Sequence, residues 1–170
     1  MQTIKIFIPG IPKPKQSVRS RIVAPKNGKP FVTHYQSQEV KKQERAIAAI
    51  VSEQLPENFI CHDGPIEVVS LKFAFPITSS LRAAEKKMIA AGIDLPKITK
   101  PDLTDNLSKG LFDAMEGIVY TNDSKVFKVT NSTKVLSSRP GIYLRMHLYD
   151  SLKEVTESEL AKRNLGVVVI

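Results

Sequence analysis

KPDLTDNLSKGLFDAMEGIVYTNDSKV, residues Lys100 to Val126, is the stretch from which the organisation of the chain can be read. It gathers Asp102, Asp105, Asp113, Glu116 and Asp123 in a chain whose formal net charge is +8, so these acids do not serve bulk solubility. Leu107, Leu111, Ala114 and Met115 follow the i, i+4, i+7, i+8 spacing of one buried helix face, which predicts a helix over Asn106–Glu116. Asp102, Thr104 and Asp105 are each able to cap its first exposed N–H groups, and Gly117 tolerates the left-handed conformation that ends a helix. Ile118–Tyr120 is a short apolar run, Thr121-Asn122-Asp123-Ser124 has turn chemistry, and the β-branched residues of Lys125–Val135 predict a strand. Asp123, at the turn mouth, is expected to come back over the helix start. It would then lie beside Asp102 and Asp105, with Lys109 one turn after Asp105 pointing the same way.

Carboxylates so gathered suit Mg²⁺, a hard cation that takes oxygen ligands and keeps several waters. Two such ions about 3.5–4 Å apart can activate a water and stabilise the leaving oxygen of a phosphodiester. Lys109 would meet the charge that develops on the phosphate. A plainer assignment is open for each residue taken singly. Asp102 and Asp105 can cap a helix, Lys109 can pair with Asp105 or Asp113 at four residues' spacing, and Asp123 can serve its turn.

In these residues the chain resembles the RusA-type Holliday junction resolvases, whose pattern runs K-P-D-x-D-N-L-x-K, then D-A-L-N/E-G, then a D-D-x-x-V turn. Lys100-Pro101-Asp102, Asp105-Asn106-Leu107-Ser108-Lys109, Asp113-Ala114-Met115-Glu116-Gly117 and Asp123-Ser124-Lys125-Val126 match in that order. The resemblance implies an α/β (α+β) fold over residues 1–170, with 151–170 a C-terminal helix and apolar tail. It implies a Mg²⁺-dependent endodeoxyribonuclease, Mn²⁺ being a substitute, with Asp102, Asp105 and Asp123 as metal ligands and Lys109 beside them. It also implies a homodimer that resolves branched DNA, the four-way junction of recombination and repair, by paired nicks leaving 5′-phosphate and 3′-hydroxyl ends. Two departures stand out. Leu103 and Thr104 both separate the first two aspartates where the pattern has one residue, and Asn122 replaces the first acid of the last pair. Asp105 to Lys109 keeps the pattern's spacing, so the extra residue predicts a local turn or bulge at Leu103-Thr104 that returns Asp102 to the metals.

Composition narrows the alternatives. A chain of 170 residues with 42% hydrophobic content fits one domain with a real core. Its apolar runs are too short to span a membrane, and Met1–Pro9 lacks the apolar core of a signal peptide, so a cytoplasmic location is expected. Cys61 stands alone, and His34, His62 and His147 are scattered, which excludes a cysteine-based zinc site and any H-E-x-x-H motif. A G-x-x-x-x-G-K-[ST] loop is missing too, against an NTPase. A pI near 9.6 calls for a polyanionic partner.

Gln2–Ile8 alternates as a strand, ended by Pro9-Gly10. Ile11–Arg21 then carries prolines and basic residues without an acid, and Lys13, Lys15, Arg19 and Arg21 are assigned to the DNA backbone; RusA-like proteins carry a similar stretch. Lys26-Asn27-Gly28-Lys29 reads as a hairpin tip between Arg21–Ala24 and Pro30–Thr33. Ser37–Leu55 has helical spacing at Val40, Ile47, Ile50 and Val51. Pro56–Pro65 is a loop, and Val69, Leu71, Phe73 and Phe75 alternate along a central strand. Ser79 and Ser80 are expected to cap a helix over Leu81–Ala91, with Leu81, Ala84 and Met88 inward and Gly92 as its stop. Ile93–Thr99 reads as a mobile link. Ile142, Leu144, Met146 and Leu148 alternate with Tyr143, Arg145, His147 and Tyr149, giving a closing strand whose polar-aromatic side either stacks on bases or is plain sheet surface. Thr156-Glu157-Ser158-Glu159 reads as a capping box before a short helix, and Gly166–Ile170 as a tail that must dock. Besides junction resolution, two functions are open on this reading: a branched-DNA or flap nuclease, and a DNA-binding protein without catalysis.

Overall fold

Alternating apolar side chains in segments far apart in sequence build the centre of the molecule. The computed structural model describes residues 1–14, 19–24, 28–35 and 38–164. Along them run β1 (Gln2–Pro9), β2 (Arg19–Val23), β3 (Phe31–Tyr35), α1 (Gln38–Gln54), β4 (Ile66–Phe75), α2 (Ala83–Ala90) and β5 (Leu95–Pro96). A π-helical turn (Leu103–Ser108) leads into α3 (Lys109–Met115), and a 3-10 turn (Asp123–Lys125) into β6 (Val126–Leu136). β7 (Gly141–Leu148) and α4 (Leu152–Asn164) follow. The fold is α+β: a five-stranded mixed sheet in the order β1-β7-β4-β6-β5, with β2 and β3 as a separate antiparallel pair.

β4 pairs antiparallel with β7 on one side and parallel with β6 on the other, as a central strand should. Its expected alternation holds only partly. Ile66, Glu67 and Val68 are all buried, because the register shifts by one residue between Ile66 and Glu67 against β6 and between Val68 and Ser70 against β7. On one face Ile4, Ile6 and Ile8 of β1 join Ile142, Leu144, Met146 and Leu148 of β7 in the core with Ile47 and Val51 of α1 and Leu107 and Leu111 of the acid-bearing helix. β1 is the sheet edge, and Gln54 at the end of α1 closes it. Its side chain accepts from the Phe7 N–H at 2.9 Å and donates to the Phe7 carbonyl at 2.8 Å, as a neighbouring strand would.

Three expectations need correction. α2 starts at Ala83, with Arg82 rather than Ser79 or Ser80 at its cap, and Glu85 binds back to the Arg82 N–H at 2.9 Å. Its inward residue is Ile89, while Met88 is 43% exposed. The link before the acidic motif is held in the sheet: Leu95 and Pro96 pair with Leu136 and Val135, and Lys97 reaches the Thr99 and Lys100 carbonyls. α4 begins at Leu152, so Thr156 sits inside it and bonds back to the Leu152 carbonyl; Ser151 accepts from the Glu154 N–H at the true start. Gly166–Ile170, Ser37 and the hairpin tip at 26–27 lie outside the described residues. Among the described residues no helix is long and apolar enough to cross a membrane.

α4 has no buried residue, so apolar packing does not hold it. Glu67 does, from the face of the sheet away from α1. This carboxylate is 3% exposed and receives Tyr149 Oη at 3.0 Å, Lys162 Nζ at 3.2 Å and Lys128 Nζ at 3.3 Å. Glu159 of α4 bridges the same two lysines at 3.3 and 3.0 Å. Burial acts to raise the Glu67 pKa, but the bonds from Lys162, Tyr149 and Lys128 outweigh it and leave it below the usual carboxylate range.

His147 stands next to this network, its Nδ1 3.7 Å from Glu67, too long for a hydrogen bond. Burial lowers its pKa; Glu67 opposes this, and Lys162 and Arg145 add to it. A lowered folded pKa means that the unfolded chain takes up protons first as pH falls below about 6.5, so stability is lost on acidification. The melting temperature should therefore fall between about pH 7 and pH 5, and His147→Gln should flatten that part of the profile, as thermal scans across pH would read.

Candidate active site

The acids that the structure brings together sit at the far end of the helix from its start. Asp113 on the last turn of α3, Glu116 just after it and Asp123 on the 3-10 turn each offer an oxygen within 4.8 Å of the other two. The intervening chain explains why. Gly117, at φ +77°, reverses direction, and its N–H donates to the Tyr120 carbonyl at 2.7 Å, while the Val119 N–H returns to the Met115 carbonyl at 2.9 Å. Val119 and Tyr120 are fully buried, and Tyr120 Oη donates to the Phe112 carbonyl at 2.8 Å. Burial raises the Tyr120 pKa, and the charges of Asp123, Asp113 and Glu116 raise it further, so the phenol stays neutral and acts as a donor.

Asp123 is then fixed from both sides. Asn122 accepts from the Ser124 N–H at 2.9 Å and donates to Glu116 Oε1 at 3.3 Å, so the residue in place of the pattern's acid ties turn to helix. Asp63, arriving on the loop before β4, accepts from Thr121 Oγ1 and from Lys125 Nζ at 3.2 Å. Those contacts, the Thr121 bond first, hold its carboxyl below the usual range.

Asp123 therefore does not return over the helix start. Asp105 lies eight residues before Asp113, about two turns back along the helical segment, and Asp102 lies further still. Asp102, Asp105 and Lys109 are exposed, with Lys109 between the two acid groups. Asp102 occupies the cap position without a side-chain capping bond and instead accepts from Asn106 Nδ2 at 3.2 Å. Asp113 and Glu116 carried a legible signal, a spacing of three residues on one helix face just before Gly117.

The expected irregularity at Leu103-Thr104 is a π-helical turn. The Leu107 N–H donates to the Asp102 carbonyl, five residues back, at 3.2 Å, and the Lys109 N–H reaches back to Thr104. One more residue per turn is what a π-bulge stores, and such bulges occur often at functional sites. Of the assigned DNA contacts, Lys13 is exposed, Lys15 lies outside the described residues, and Arg19 and Arg21 sit on β2, opposite Tyr35 and Thr33, rather than in a loop.

The donor set fits a divalent metal of the hard kind. Asp113, Glu116 and Asp123 offer only oxygen, in a group without thiolate or imidazole, and two of the three are exposed so that waters can complete the shell.

An all-oxygen acid cluster on a basic chain equips an enzyme for work on phosphodiesters, and comparison with known proteins gives the class. The family described as Endodeoxyribonuclease RusA matches residues 9–147. A Bacillus subtilis (strain 168) protein, named Uncharacterized protein YqaN, is 31% identical over 147 residues, covering 84% of this chain and 94% of that one. The chain belongs to the RusA endodeoxyribonuclease family and is an enzyme that hydrolyses DNA. α4 lies beyond the matched residues.

Two outcomes follow for this site. Asp113→Asn with Glu116→Gln should weaken Mn²⁺ binding at least tenfold in calorimetry in a chain that still unfolds cooperatively in a thermal melt; unchanged affinity would place the metal elsewhere. Deleting Thr104 should convert the π-turn to an α-turn and leave a folded chain that melts no lower than the parent.

Proposed function

We propose that the chain is a Mg²⁺-dependent, structure-selective endonuclease that resolves four-way DNA junctions as a homodimer, making paired symmetric nicks in recombination and repair. The observation that carries the reading is the cluster of Asp113, Glu116 and Asp123 inside the segment that matches the RusA family. Bound there, Mg²⁺ would lower the pKa of a coordinated water and offset charge on the leaving oxygen. The residues do the rest. Lys109, one turn before Asp113, holds an ammonium where a phosphate oxygen gains charge. Water adds to phosphorus and the P–O3′ bond breaks. The phosphate stays on the 5′ end, and O3′ leaves with a proton as hydroxyl. A cytoplasmic location suits this substrate.

The separation of the acids supports the dimer. Asp102 and Asp105 stand at one end of a helical segment and Asp123 at the other, so a two-fold axis across that segment would set Asp102 and Asp105 of one copy against Asp123 of the second. Two composite sites related by the axis would match a junction of the same symmetry. Mn²⁺ should replace Mg²⁺ on oxygen ligands.

Mixed dimers test both parts. Asp105→Asn and Asp123→Asn chains should each fail to cut labelled junctions with Mg²⁺ while binding them in EDTA. Mixed, they should recover cutting of one strand, because one of the two sites then has every acid intact. Absence of recovery in a proven mixed dimer would show that each site is built within one chain. Flap or duplex cut as fast as the junction would favour a branched-DNA nuclease without junction selectivity. Binding without cutting by the unaltered protein would favour a DNA-binding protein.

A further inference from the structure

The polar face of β7 takes no part in the acid cluster. Ile142, Leu144, Met146 and Leu148 turn to the core beneath α1 and α3, which leaves Tyr143, Arg145 and His147 on the opposite face of the sheet. One row of that face runs through Lys5, Arg145, Ser70 and Asn131: Lys5 is the direct partner of Arg145, Arg145 of Ser70, and Ser70 of Asn131. Lys5, Arg145 and Asn131 are exposed. Like charges directly opposite each other in an antiparallel pair repel, so this pair works against the fold.

The acids of this face are already engaged. Asp94 holds Lys72 at 2.9 Å, and Glu67 and Glu159 hold Lys128 and Lys162. Among the described residues no carboxylate lies within ion-pair distance of Lys5, Arg145 or Arg139. In the next row Phe7 pairs with Tyr143, ring centroids 4.6 Å apart, and each ring is covered by a cation: Arg139 lies 4.9 Å from the Phe7 centroid and Lys72 4.5 Å from that of Tyr143. Rings covered in this way present charge outward and offer bases no stacking surface.

We propose that this face binds the phosphate backbone of a DNA duplex without regard to base sequence, as a contact surface separate from the acid cluster. It rests on the family's DNA substrate and not on junction selectivity. The cationic rows are about 7 Å apart, two strand residues, a spacing comparable to the step between neighbouring phosphates. Ser70, Asn131 and Thr133 supply neutral donors between the charges. A second copy of the chain is the poorer occupant, because a two-fold contact would set this positive face against itself.

The test uses the full chain and a short plain duplex in EDTA, with affinity measured across a salt series. Lys5→Ala with Arg145→Ala should lower the slope of log affinity against log salt by about 1.8, about 0.9 for each lost phosphate contact. The doubly conservative Lys5→Arg with Arg145→Lys should keep the wild-type slope, and the alanine variant should melt no lower than wild type because a repulsion has gone. Duplexes of shuffled sequence should bind alike. An unchanged slope, or a wild-type protein that ignores duplex DNA, overturns the proposal. So does a dimer that falls apart in the alanine variant on sedimentation, which would make the face a subunit interface. Failure of the wild type to cut junctions would sink the resolvase reading and leave this measurement unaffected.

Discussion

The parallel pairing of β4 with β6 is the constraint on which the rest of the structure depends. Parallel neighbours cannot be joined by a hairpin, so the chain leaving Phe75 must travel back before it can start again at Val126. Every acid of the candidate site lies on that return. Because Ile66 faces Val126, the 3-10 turn with Asp123 has to finish beside the start of β4, where the loop carrying His62 and Asp63 arrives. The His62 N–H and carbonyl pair with the Val119 carbonyl and the Thr121 N–H at 2.9 and 3.0 Å. The helix must end where β6 begins, so Asp113 and Glu116 meet Asp123 and the helix start is carried away.

Polar side chains finish what apolar packing begins. Gln54 closes the backbone of the outer strand β1, and Glu67, with two lysines and a tyrosine, fastens a helix that has no fully buried residue. Ion pairs at a surface contribute little, but one oxygen pair buried under two lysines is a different matter, since loss of the carboxylate would leave neighbouring cations facing each other. The apolar layer between α1, α3 and the sheet and the ionic layer on the other face are thus different ways of covering one sheet.

Much of this was legible in the sequence. The alternation of Ile4, Ile6 and Ile8 and of Ile142 to Leu148 marked two strands, and the spacing of Leu107 to Met115 marked the helix, because one periodic burial pattern decided each. What escaped depended on partners distant in the chain. Glu67 sits between apolar neighbours, and its burial is explained only by Lys128 and Lys162, which local pattern cannot reveal. Leu95-Pro96 is too short to read as a strand and exists because Val135 and Leu136 offer it an edge. The acids were recognised as a group, but their grouping was assigned by turn geometry alone. The burial of Val119 and Tyr120, which tightens the return and brings Asp123 to Glu116, depends on packing that turn chemistry does not encode. Thr156 reads as a cap in the sequence because its hydroxyl bonds within the helix as readily as at an end.

The π-helical turn also bears on how sequences of this family should be aligned. A residue added there is absorbed in one widened turn, so everything from Lys109 onward keeps its place on the helix, while everything before Leu103 is displaced by one position. In relatives, Asp105 is therefore matched by counting backward from the lysine, and Asp102 by counting forward from the proline. An alignment that opens its gap one or two residues away would leave Asp102 or Asp105 unmatched, set Leu103 or Thr104 against an aspartate, and carry the wrong side chain into any inference about function.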